Sequence, residues 1–321
     1  MIGRKGVSRN GPRRGYLLNT PWSLVRLERV GTGNLAGLGR QVLSRLARRG
    51  VPLPAGNRLE RAVRIVERMN AHHEIVRADD PKTLKLTLEA LRNVLDAFVV
   101  VWTLDERPRR VNPFPLDRLR QLAKGAELPE DDSQTKPRDT QFELMTGANL
   151  ILGGADIVPQ DPPDYTLLYH GRRVGVEAKR LTSLNSERVG ARLSEAAKAI
   201  LKTTGEGFVA LNLDGLIEDL SGESPEEVGG KFNHQLREAH EQIQESSERK
   251  ALLGALIFGT WNEWRFGNGR PELRWQRPVQ LIGFGDEGSL ERAQFFEYFE
   301  SFHGRWKASM GELGRLLDTR A

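Results

Sequence analysis

Apolar residues recur every three to four positions over residues 42–49, 59–70 and 83–102, the spacing of one buried helical face, and predict helices across the first third of the chain. Asp80-Pro81 supplies a start signal for the third. A proline-rich stretch at 107–115 and an acidic, polar stretch at 128–136 interrupt the pattern. A boundary near residue 133 would divide a helical accessory region, 1–132, from a second region, 133–321. Beyond it the period alternates. A helix at 139–152 leads into a short strand at 155–158, then two apolar runs at 165–170 and 173–181 that meet at a tight turn. A helix at 186–202, a strand at 207–213, a charged helix at 225–249, strands at 251–260 and 278–284, and a helix at 290–306 complete the pattern. Strands interleaved with helices predict an α/β fold, a mixed central sheet flanked by helices, carrying an N-terminal mainly helical region. Phe295, Phe299, Phe302 and Trp306 repeat at helical spacing and read as core.

Composition narrows the chemistry. The chain has 321 residues, 28% charged and 38% hydrophobic, and no cysteine. Disulfides, thiolate metal sites and a cysteine nucleophile are thereby excluded, so any metal must be held by oxygen or imidazole. The longest apolar runs, such as 97–102, fall short of the roughly 20 residues that cross a bilayer. No signal-peptide pattern opens the chain, and a cytoplasmic location is expected. The net charge of +5 is uneven: residues 1–50 hold eleven Arg or Lys against Glu28 alone. A basic segment of this kind suits a phosphate backbone, with a solvated tail over residues 1–15 as the equal alternative.

The most informative stretch runs from Pro163-Asp164 to Lys179. Asp164 opens the first apolar run, His170-Gly171 reverses the chain, and the second run ends in Glu177-Ala178-Lys179. Side chains alternate along a strand, so Glu177 and Lys179 share a face. Pairing of the two runs would bring Asp164 near Glu177. Two carboxylates and an ammonium then converge, a set suited to a hard divalent cation and phosphoryl chemistry. Asp80-Pro81-Lys82 and Glu248-Arg249-Lys250 also read acid-x-Lys but lie at helix ends. A buried Glu177–Lys179 ion pair without chemistry is the plainer account of the same residues.

With Pro163-Asp164 as its "PD" and Glu177-Ala178-Lys179 as its "ExK", twelve residues apart, the chain resembles the PD-(D/E)xK nuclease superfamily over about residues 138–215. The resemblance implies a restriction-endonuclease-like core and a metal-dependent nuclease hydrolysing phosphodiester bonds, with DNA ahead of RNA as the nucleic-acid partner. It implies Mg²⁺ or Mn²⁺ as cofactor, held by Asp164, Glu177 and the Ala178 carbonyl, with Lys179 acting on water. Glu143, on the preceding helix, would be a further acidic ligand. Thr140 and Glu143 also fit a capping box, which would turn Glu143 onto the helix end. The Gln-x-x-x-Tyr motif of the RecB-like branch is absent from 186–202. The alternative is a catalytically silent nucleic-acid-binding or scaffolding protein on the same fold. A homodimer is an admissible assembly.

Arg180, Arg188, Arg192 and Lys198 follow the ExK triplet and are candidate phosphate contacts. Trp261 to Phe266 and Arg270 to Arg277 mix aromatics with arginines, as in single-strand binders or as in a packed hairpin. His72-His73-Glu74 are neighbours that face different ways on a helix and read as surface. The glycines at 31–39 miss the nucleotide-binding spacings and read as a linker.

Overall fold

The computed structural model describes residues 22–30, 32–72, 81–106, 112–183, 185–214, 251–259, 261–267, 270–284 and 289–318. The basic tail over 1–15, the charged helix at 225–249 and His73-Glu74 lie outside them.

A first strand, β1 (Trp22–Val30), precedes three helices, α1 (Thr32–Arg48), α2 (Arg58–His72) and α3 (Pro81–Glu106). Gly33, Gly37 and Gly39, read as part of a linker, are helical instead. Gly39 explains why: a Cβ there would lie 2.6 Å from a Val63 methyl, so the missing side chain lets α1 and α2 approach closely. A single-turn helix α4 (Leu116–Leu119) continues into a 3₁₀ turn at Arg120–Ala123. Helix α5 (Lys136–Leu152) then begins one turn earlier than its apolar pattern indicates.

The remaining elements build the sheet. They are β2 (Ile157–Pro159), β3 (Tyr165–Tyr169), β4 (Arg172–Arg180), α6 (Ser186–Leu201), β5 (Gly207–Asn212), β6 (Leu252–Phe258), β7 (Trp261–Gly267), β8 (Arg270–Gly283) and α7 (Leu290–Asp318). Their order across the sheet is β1-β8-β6-β5-β4-β3-β2, with β7 pairing β8. Strands β4, β5 and β6 run parallel, and their neighbours run antiparallel. The fold is therefore mixed α/β. The two runs expected at 261–277 and 278–284 are one hairpin whose second strand is continuous through Pro278.

Strand alternation separates two apolar clusters. Val174, Val176, Ala178, Phe208, Ala210, Leu256 and Phe258 face α5 and α7, where Phe295, Phe299 and Trp306 are buried. Val209, Leu211, Ala255 and Ile257 face α6. The first cluster is continuous from Leu35 to Trp306 and so crosses residue 133 without a break. Among the described residues no helix is long and apolar enough to cross a membrane.

Candidate functional site

The hairpin β3–β4 turns at His170 and Gly171, both with positive φ, the backbone that matches the twist of paired strands. That turn sets the register Tyr169↔Arg172 through Tyr165↔Val176, and the next step places Asp164 against Glu177. Side chains continue the ladder where the strand ends. The Asp164 amide donates to Glu177 Oε2 at 3.2 Å, and the Ala178 amide donates to Asp164 Oδ2 at 2.8 Å. Both acids are buried, Asp164 to 7% and Glu177 to 6% exposure. Lys179 Nζ donates to Glu177 Oε1 at 2.6 Å.

Glu143 reaches the same place from α5, on the opposite face of the sheet. The capping alternative fails because α5 starts at Lys136 with Thr135 before it, which leaves Thr140 and Glu143 in the helix interior. One turn on from Glu143, a Cβ on Gly147 would lie 2.7 Å from Tyr165 Cζ and 2.9 Å from a Phe114 ring carbon, so the glycine admits two aromatic rings against the helix.

One participant carried no recognisable signal in the sequence. Arg118, on α4, projects its guanidinium among the acids, with Nη1 at 3.8 Å from Glu143 Oε2 and 3.9 Å from Asp164 Oδ1, and Nη2 at 4.0 Å from Asp161 Oδ2. The backbone anchors it: Nη2 donates to the Gln160 carbonyl at 3.0 Å, and Nη1 approaches the Asp164 carbonyl at 3.5 Å. Its guanidinium carbon also lies 5.9 Å from the Tyr165 ring centre. Arg118 follows a proline-rich stretch and has no spacing that ties it to Glu143, Asp161 or Asp164.

Electrostatics follow from this crowding. Burial, then the charges of Glu143 and Glu177, hold the Asp164 carboxyl well above the usual carboxylate range, against the Ala178 amide and Arg118. Burial also raises Glu143, with Arg118 opposing and Glu177 adding to it. Burial works against charge on Lys179, yet the Glu177 hydrogen bond and the charges of Glu177 and Asp164 keep its pKa above the ordinary value.

The donor chemistry fits a hard divalent cation: the carboxylates of Asp164 and Glu177 are buried, that of Glu143 is half-buried, and the three repel one another. Among the described residues, however, no three His, Asp or Glu side chains stand close enough to hold an ion as they are placed.

The candidate phosphate contacts divide. Arg188, Arg192 and Lys198 lie exposed on α6, with Arg192 paired to Glu195 at 2.8 Å. Arg180 turns the other way, toward α5, where it meets Asp139 at 3.4 Å and lines a small internal cavity of about 30 Å³ with Glu89, Arg92 and Asp214. It is mostly covered, and burial lowers its pKa despite Asp139. The Trp261–Gly267 strand forms the expected hairpin with β8.

Comparison with family models, with curated proteins and with solved structures finds no match.

Proposed function

We propose that this chain is a metal-dependent nuclease with a restriction-endonuclease-like core, cleaving phosphodiester bonds in nucleic acid, DNA ahead of RNA. One observation carries the reading: the hairpin register sets Asp164 against Glu177 with Lys179 on the same strand, at one end of the interior strands β3 and β4. The order of elements adds support. A helix bearing Glu143 precedes three antiparallel strands, a helix and a parallel strand, the order that the superfamily's core follows.

In this reading Asp164, Glu177 and Glu143 hold Mg²⁺ or Mn²⁺, which when bound neutralises charge on the phosphate under attack. The chain's own residues do the rest. Lys179, held charged by Glu177 and Asp164, orients water and stabilises the negative charge that builds on the phosphoryl oxygens. The Ala178 amide fixes the Asp164 carboxylate so that it needs no reorganisation. Arg188 and Lys198, exposed on α6, follow the phosphate backbone.

The second reading is the catalytically silent binder. It is favoured by the same 2.6 Å contact between Lys179 and Glu177 and by the side-chain clasp, both of which serve the hairpin without chemistry.

Cleavage of single- and double-stranded DNA and RNA, with Mg²⁺, Mn²⁺ or chelator, separates the two. Wild type should cleave with metal, and Asp164→Asn and Glu177→Gln should not. Lys179→Met should keep its Mn²⁺ isotherm and lose about 10²–10³ in rate. A wild type that shifts DNA in a gel and leaves it intact under every metal condition identifies the silent binder.

A further inference from the structure

Arg118 is a half-buried cation at the site that the proposed chemistry leaves without a task. Its side chain is 17% exposed. It comes from α4, outside the β3–β4 hairpin and its flanking helices, and its hold is on main-chain carbonyls rather than on the acids. The carboxylate oxygens of Glu143, Asp164 and Asp161 stand 3.8 to 4.0 Å away, too far for direct hydrogen bonds and close enough for strong attraction. A guanidinium so placed compensates several acids at once and leaves their lone pairs open.

We infer that Arg118 is the resident counter-cation of the carboxylate cluster, so that the site folds charge-compensated without metal and a divalent cation binds only in competition with the guanidinium. This rests on the metal-site reading above. Lys179 already pairs with Glu177, whereas Glu143 and Asp164 would repel each other without a cation beside them, and Arg118 relieves that repulsion in the metal-free protein. A divalent cation between Glu143 and Asp164 would lie within a few ångströms of a guanidinium that cannot lose its proton. Arginine therefore does what a lysine in its place would do less well: it holds the carbonyls of Gln160 and Asp164 with a rigid fork while remaining charged. Arg118 on this account sets the affinity for metal and is a positioning residue, touching neither substrate nor reacting atoms.

The test uses the full chain and Mn²⁺ alone, titrated by calorimetry at pH 7.5, with melting temperatures of metal-free protein alongside. Arg118→Met should bind Mn²⁺ about tenfold or more tightly than wild type, because the competing charge is gone. Metal-free Arg118→Met should melt below wild type, and adding Glu143→Gln should restore much of the loss, because it removes one of the acids left uncompensated. Arg118→Lys should fall between wild type and the Met variant in both measurements. If wild type binds Mn²⁺ and Arg118→Met binds it equally or more weakly, the counter-cation role is overturned and the nuclease reading stands. If neither protein binds Mn²⁺, both fall. Melting temperatures of Arg118→Met and of the double variant that simply add, with no rescue, also overturn the role.

Discussion

Asp164 holds its proton more tightly in the fold than in the unfolded chain, by burial first and by the charges of Glu143 and Glu177 after it. A carboxyl with a raised folded pKa stabilises the fold fully below its unfolded pKa of about 3.9, and that contribution is lost as pH rises through its folded value. In the metal-free protein the Asp164 carboxyl therefore weakens the fold whenever it is ionised. Asp164→Asn, which can still accept from the Ala178 amide, should melt above wild type at pH 7.5, with the difference closing as pH falls toward 4. Calorimetric scans of metal-free protein across that range check this, and an Asn variant that melts lower at pH 7.5 would make the ionised Asp164 a net support. The three residues Asp164, Glu177 and Lys179 were legible because one strand period and one turn fix their relation. Arg118 was not, because its partners belong to a loop and a helix whose approach is set by tertiary packing alone.

Elements with a strong apolar period were legible nearly to their ends, as α2, α3, α6 and the β3–β4 hairpin illustrate. Two were misread for local reasons. The glycines of α1 suggested a linker, although they lie within the helix and Gly39 is a close-packing position at Val63. The Thr140–Glu143 spacing suggested a helix start, although Lys136 and Pro137 already occupy the first turn. Helix α5 meets β3 through Gly147, where the Tyr165 and Phe114 rings take the place of a side chain. Gly147→Ala should thus lose about 1–3 kcal/mol by overpacking. It should also weaken Mn²⁺ binding, since Tyr165 adjoins Asp164 and lies beneath Arg118. Urea unfolding and the Mn²⁺ isotherm measure the two effects, and an alanine variant matching wild type in both would show that the rings yield freely.

Across the whole molecule, a buried polar network ties the N-terminal helices to the helix that carries Glu143. Arg58 of α2 donates to Gln141 of α5 at 2.6 Å, and Gln141 donates to Asp96 of α3 at 2.8 Å. Glu89 of α3 accepts from Arg138 of α5 at 2.8 Å and also from Arg92. Glu89→Ala would take one acid from each of two buried guanidinium groups, leaving Arg138 with Asp132 and Arg92 with Asp214, and about 1–3 kcal/mol of stability should go with it. Chemical denaturation reads this directly, and a change below about 1 kcal/mol would mean the arginines find other acceptors. The sequence suggested a division near residue 133, since proline and acidic stretches resemble a linker, whereas packing carries one core through it. Strand β1 was missed because its partner is nowhere near it in sequence. Trp22 pairs opposite Val279, so β1 has no edge to join until β8, on the far side of every helix and strand between them, has been made. Closure of this side of the sheet therefore waits on β8, and the ribosome must deliver the intervening elements before β1 can find its place.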